Sequence, residues 1–259
     1  MQTPTALVVL ALAASLAACA SAEGAADAGA RPDAARLPDA APLADGAPPG
    51  GDGGGEADAG SSGVGPVLNE VVVDNPEGDT CEYVEIAGEP GRDYSRFSIL
   101  VLEGDLGADP GSVDRVIVAG TASAEGLWVS ELLSGAIENG SQTLLLVADT
   151  SAGIGDDLDT DDDGTLDLAP WSALVDAVAI TDDGISDVTY AGDAVLSRTF
   201  DGGNSYVRGA SRIPDGADSD QASDWVRNSP TADGLPCADG TAAPGEALNT
   251  PGAPNAVKQ

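Results

Sequence analysis

The chain contains no histidine and a single lysine, and its 10 Lys and Arg face 44 Asp and Glu, for a formal net charge of -34. Without histidine it cannot assemble a Ser-His-Asp or Cys-His nucleophile pair, a His-ligated zinc or iron, or an imidazole acid/base catalyst. Too few basic side chains remain to track a phosphate backbone, so nucleic acid is not expected to be a direct partner. Aromatic residues are also scarce, with 3 Trp, 4 Tyr and 2 Phe. Nine rings barely furnish the core of a large β domain, and an exposed sugar-stacking platform would leave that core short. No Gly-x-Ser-x-Gly elbow occurs, which removes one more route to a serine nucleophile.

Long apolar runs are missing as well. The longest, residues 6–18, is too short to span a bilayer and ends in Leu16-Ala17-Ala18-Cys19. This ending resembles the lipobox of bacterial lipoproteins. The resemblance implies that residues 1–18 are a removable signal segment and that Cys19 is lipidated, anchoring the chain to a membrane. Ala20, a non-Asp residue after the cysteine, resembles the outer-membrane sorting signal, so the expected location is the bacterial cell envelope, as an outer-membrane lipoprotein or at the cell surface.

Cysteine usage fits that compartment. Of the three cysteines, acylation of Cys19 leaves Cys81 and Cys237, either joined as a disulfide, as an oxidising compartment favours, or as two free thiols.

Residues 19–65 are almost entirely Ala, Gly, Asp, Pro and Ser, with no aromatic side chain. Such a segment cannot bury enough apolar surface to offset its ordering entropy, so a disordered tether is expected. Its flexible span would be roughly 40 Å.

From residue 66 the pattern changes to short Val-, Ile- and Leu-rich runs separated by Gly, Pro, Asp and Asn. These predict strands at 67–73, 82–87, 97–103, 115–119, 127–129, 143–148, 174–180, 188–190 and 206–208, with one possible helical turn at 130–137. No crossover helices are long enough for a parallel sheet, so the fold class is all-β, an antiparallel sandwich over 66–256 with a short tail at 257–259.

Within that domain Val67-Leu68-Asn69-Glu70-Val71, Glu82-Tyr83-Val84-Glu85-Ile86, Trp225 and Asn249-Thr250-Pro251-Gly252-Ala253-Pro254-Asn255 resemble the opening strands and the ending of lamin tail domains. Val101-Leu102-Glu103-Gly104-Asp105, the run Glu138 to Thr143 and an Asp-rich loop leading to Trp171 are similar to an extended bacterial version. The resemblance implies an immunoglobulin-like β-sandwich acting as a binding or scaffolding unit.

Calcium is the cofactor that the residues themselves suggest. Asp159-Thr160-Asp161-Asp162-Asp163-Gly164-Thr165-Leu166-Asp167 fits the first nine positions of a D-x-D-x-D-G calcium loop. Asp159, Asp161 and Asp163 would supply carboxylates, Gly164 the sharp turn, Thr165 a backbone carbonyl, and Asp167 a ligand direct or through water. Position twelve is Pro170 instead of the bidentate Glu. Asp176 is the candidate replacement, because strand alternation places it on an apolar face where a carboxylate needs a partner. The plain alternative is a solvated acidic loop with Asp176 satisfied by backbone. An affinity near 0.1 to 1 mM, as in extracellular modules, is expected.

Other residues read as structural. Glu70 and Glu85 lie in adjacent predicted strands, and a carboxylate pair is the minimum for glycoside hydrolysis. In so acidic a chain, chance pairs are expected, and capping a strand end or pairing an arginine is the simpler role. Trp171 and Trp225 read as packing residues. Arg198, Arg208, Arg212 and Arg227 could form an anion site or neutralise nearby acids, and the domain's charge favours the second. The sequence thus suggests a lipid-anchored, calcium-stabilised surface module without catalysis, whose partner is an unknown protein or surface polymer. The alternative is an accessory subunit or hydrolase of extracellular phosphoesters or glycans that uses bound calcium.

Overall fold

A computed structural model describes residues 65–76 and 78–259. Cys19, the signal segment 1–18 and all of the tether but residue 65 lie outside the described residues. Ten strands run in chain order: β1 (Val67–Val72), β2 (Tyr83–Ala87), β3 (Phe97–Glu103), β4 (Val113–Val118), β5 (Leu127–Val129), β6 (Gln142–Ala148), β7 (Ala173–Ile180), β8 (Val195–Leu196), β9 (Gly209–Arg212) and β10 (Trp225–Arg227). They form two five-stranded sheets, ordered β10-β9-β1-β2-β5 and β4-β3-β6-β7-β8. Every pairing is antiparallel except β7 with β8. The domain is an all-β sandwich.

Between the sheets, Leu68, Val71, Val84 and Ile86 of the first pack against Ile99, Val101, Leu144, Leu146, Val178 and Ile180 of the second. Strands β3 and β6 are apolar on both faces. Their outward residues Leu100, Leu102, Leu145 and Val147 are covered by Leu158, with Leu166, Trp171 and Tyr190 beside it. The Asp-rich loop therefore lies over the back of the second sheet, anchored by apolar residues spaced among its acids. This explains why β3 and β6 read as continuous apolar runs without alternation.

The back of the first sheet is covered by the C-terminal segment. Val72, Cys81 and Tyr83 pack against Ala232 and Leu235, and a disulfide joins Cys81 to Cys237 across a sequence separation of 156. Deeper in this face, Glu70 and Glu85 face one another across β1 and β2, and a bulge inserts Asn69 beside them. The segment docks on these acids: the Thr250 N–H donates to Glu70 at 3.2 Å, the Gly252 N–H donates to Glu85 Oε2 at 2.6 Å, and Asn255 Nδ2 donates to the carbonyls of Asn69 and Arg212. Asn228 Nδ2 also donates to Glu70, at 2.8 Å. Among the described residues the two glutamates pair with no arginine. Burial pushes Glu70 up and raises Glu85 to about 8, against the pull of its bonds to Asn69 and Gly252. Both act as sockets for the C-terminal segment.

Three expected elements differ. Residues 188–190 form no strand; the Val188 N–H donates to the Gly104 carbonyl and the Tyr190 N–H to Thr143 Oγ1, so both are satisfied in a loop. The strand placed at 206–208 begins instead at Gly209. No helical turn occurs at 130–137, because Glu82 Oε2 takes the Ala136 and Ile137 N–H groups and Leu133 bridges to Glu82. Strands β8 and β10 fall where the sequence predicts none.

Candidate metal centre

The Asp-rich loop is closed at its neck, where the Leu158 carbonyl accepts the N–H groups of both Asp167 and Leu168. The chain between must turn tightly, and it does so with positive φ at Asp162 (55°) and Gly164 (85°). Glycine adopts that conformation without strain, and Asp is among the residues that tolerate it. Asp159 organises the turn from the first position. Its side chain is fully buried; Oδ1 accepts the Asp163 N–H at 3.2 Å, and Oδ2 accepts the Gly164 N–H at 2.9 Å and the Tyr190 hydroxyl at 2.8 Å. A carboxylate thus binds the amides of positions five and six of its own loop, winding the chain round itself.

Within this turn, carboxylate oxygens of Asp159, Asp161 and Asp167 all lie within 4.8 Å of one another. Their alignment repeats positions one, three and nine of the expected frame. Asp167 is positioned by Thr160, whose N–H donates to its Oδ2 at 3.0 Å. Asp161 is exposed, and the neighbouring Asp163 carboxylate, with Asp167 and Asp159 adding to it, pushes its pKa up. Mutual repulsion of this kind is relieved by a cation. Asp163 supplies its amide to Asp159, and its carboxylate lies outside the group of three. Thr165 sits exposed on the same loop.

Asp176 is placed elsewhere, which corrects the expected ligand set. It lies in β7, facing the first sheet, where Arg212 Nη2 donates to Oδ1 at 3.1 Å and to Oδ2 at 3.0 Å, and the Leu68 N–H donates to Oδ2 at 2.7 Å. The partner that its apolar face demands is an arginine. Burial raises Asp176 to about 6, opposed by the Arg212 charge. Arg212 is itself fully buried, bonded also to the Leu68 carbonyl and to Asp218 and Asp224, with its guanidinium 4.7 Å over the Trp225 ring. The remaining arginines follow the neutralising role: Arg198 meets Asp183, Arg208 meets Asp74, and Arg227 meets Asp201. Trp171 and Trp225 pack in the two cores as expected.

Tyr190 was not anticipated. Burial, then its bond to Asp159, pushes its hydroxyl well above the ordinary range, so it stays a donor to the loop. No local signal marks it, since it lies 31 positions from the acid it serves. Comparison with protein-family models, with curated proteins and with solved structures finds no match for this chain.

Proposed function

We propose that the protein is a lipid-anchored surface module, a lamin-tail-like sandwich held off a membrane by its tether and stabilised by calcium in the Asp159–Asp167 loop. The observation that carries the calcium reading is the convergence of Asp159, Asp161 and Asp167 within 4.8 Å in a turn that Asp159 itself winds. Oxygen-only donors, a negative excess and an irregular array of ligands suit calcium better than magnesium, which demands a near-ideal octahedron. With no bidentate ligand at the twelfth position, water completes the shell and the affinity is that of an extracellular module. An immunoglobulin-like role, presenting loops to a protein or surface polymer, rests on the sequence resemblance.

The decisive experiment compares melting with calcium and with chelator, alongside turnover on phosphoesters and glycans. Calcium should raise the melting temperature, Asp161→Asn should diminish that rise, and no turnover should appear. Turnover that Asp161→Ala abolishes would replace the module with a hydrolase. Separately, Cys19→Ser should release the protein from the membrane fraction; retention there would sink the anchor.

A further inference from the structure

We infer that one end of the second sheet holds another divalent cation of the calcium class, bound by Glu103, Asp114 and Glu138 together with the side-chain oxygen of Gln142. The site is separate from the Asp-rich loop and is built from three segments distant in sequence. Glu103 ends β3, Asp114 stands near the start of β4, Glu138 precedes β6, and Gln142 begins it. Carboxylate oxygens of the three acids lie within 4.8 Å of one another.

Strand geometry explains the convergence. Glu103 and Gln142 are direct partners across the β3–β6 ladder, so their side chains leave the same face. That face is the inner one, because Ile99, Val101, Leu144 and Leu146 two and four residues away lie in the core between the sheets. Val101 pairs with Arg115 while Leu102 pairs with Val113, which leaves Asp114 as the extra residue of a bulge. A bulge re-aims a side chain out of the regular alternation, and here it brings a carboxylate into a strand end that already holds one.

Every side-chain oxygen converging here is an acceptor. Glu103 Oε1 takes the N–H groups of Gly104 and Asp105, at 2.7 and 2.6 Å. Asp114 Oδ2 is buried with no hydrogen-bond partner. Gln142 is fully buried; its Nε2 donates to the Glu138 carbonyl, and its Oε1 is left without a donor. A fully buried amide oxygen with no donor is unfavourable unless a cation meets it, and Gln142 stands opposite Glu103 across the ladder. Arg115, next in sequence to Asp114, donates Nε to the Ala136 carbonyl at 3.1 Å, and none of the three acids has an ion pair among the described residues. By contrast, the acidic group Asp105, Asp182 and Asp187 is satisfied internally, with Asp105 and Asp187 both accepting from Ser141.

The donor set names the ligand class. Three carboxylates and an amide carbonyl are hard oxygen donors in an irregular array, which favours calcium. Glu138 is exposed, and a cavity of about 440 Å³ lined by Asp114, Arg115, Ala136 and Glu138 opens beside two of the acids and leaves room for waters. The competing occupant is a single proton held between Glu103 and Glu138, whose carboxylate oxygens lie within 4.8 Å of one another.

Equilibrium dialysis of the full chain against calcium alone, in high sodium chloride to suppress diffuse counterion uptake, tests the site. Two calcium ions per chain are expected for the natural sequence, one for Glu138→Gln, one for Asp161→Asn and none for the double variant. If the loop reading fails and this site stands, the natural chain binds one ion that Asp161→Asn retains and Glu138→Gln loses. A count that Glu138→Gln leaves unchanged overturns the inference in favour of the shared proton. Glu138 is exposed, so its substitution spares the fold. Asp114→Asn provides the second variant and should weaken the same ion at least tenfold with the circular dichroism spectrum retained.

Discussion

Glu85 shows how a single buried carboxyl ties stability to pH. Its pKa rises from the usual carboxylate value to about 8 in the folded chain, chiefly through burial. The folded state therefore binds a proton that the unfolded state has released, and the contribution is fully present below the unfolded pKa and lost as pH climbs towards 8. Each pH unit inside that window costs up to about 1.4 kcal/mol. The melting temperature in chelator should fall between pH 5 and pH 8, and Glu85→Gln should flatten that fall; an equally steep profile in the variant would remove Glu85 as its cause. Asp176, raised to about 6, works in the same direction over a narrower range. Its larger role is to answer Arg212, which has no exposed atom. Breaking a buried pair by deleting one partner costs about 3–5 kcal/mol, because the remaining charge stays buried. Asp176→Ala should lower the urea midpoint accordingly, whereas a loss below about 1 kcal/mol would mean that Asp218 and Asp224 suffice for Arg212.

Among the elements, the C-terminal segment has most at stake. It covers Tyr83 and Val72, plugs into Glu70 and Glu85, and is tied to the start of β2 by the disulfide. Opening a loop of 156 residues frees chain entropy in the unfolded state worth up to about 5 kcal/mol. Reduction should lower the melting temperature by several degrees and speed protease cleavage near residue 240; an unchanged melt would show that the Glu70 and Glu85 contacts hold the segment alone. The sequence displayed these elements unevenly. Strands β3 and β6 were legible because both of their faces are buried, which leaves unbroken apolar runs. Strand β9, Gly-Ala-Ser-Arg, carries no apolar alternation, since its residues serve hydrogen bonds to β1 and to the buried acids, and nothing local distinguishes it from a turn. The Asp159, Asp161 and Asp167 grouping was visible because a loop ligand set is contiguous. Asp176 was misassigned because its partner Arg212 lies 36 positions away, and Asp114 was invisible because only a bulge aims it.

At the scale of the whole molecule, the charge of -34 is an electrostatic load that the fold offsets only locally. The arginines with acidic partners each neutralise a neighbourhood: Arg212 between the sheets, Arg208 beside Asp74, Arg227 beside Asp201, Arg198 beside Asp183, and Arg92 and Arg96 on the surface beside Glu89 and Asp149. Round one end of the second sheet gather three acidic groups whose own members have no ion pair among the described residues: Glu103 with Asp114 and Glu138, Asp105 with Asp182 and Asp187, and Asp159 with Asp161 and Asp167. Two kinds of stabilisation by salt should therefore be separable. Sodium chloride screens diffuse self-repulsion, most strongly as the Debye length shrinks from about 30 Å at 0.01 M to about 10 Å at 0.1 M. It should raise the melting temperature steeply over that range and little beyond it. Calcium added at constant ionic strength should raise it further, in proportion to the logarithm of its concentration above the dissociation constant. Asp161→Asn and Glu138→Gln should each diminish the calcium increment while leaving the sodium profile unchanged. If magnesium at the same ionic strength reproduced the whole calcium effect, the acidic end would be answering charge alone, and coordination by these side chains would have no part in the stability of the domain.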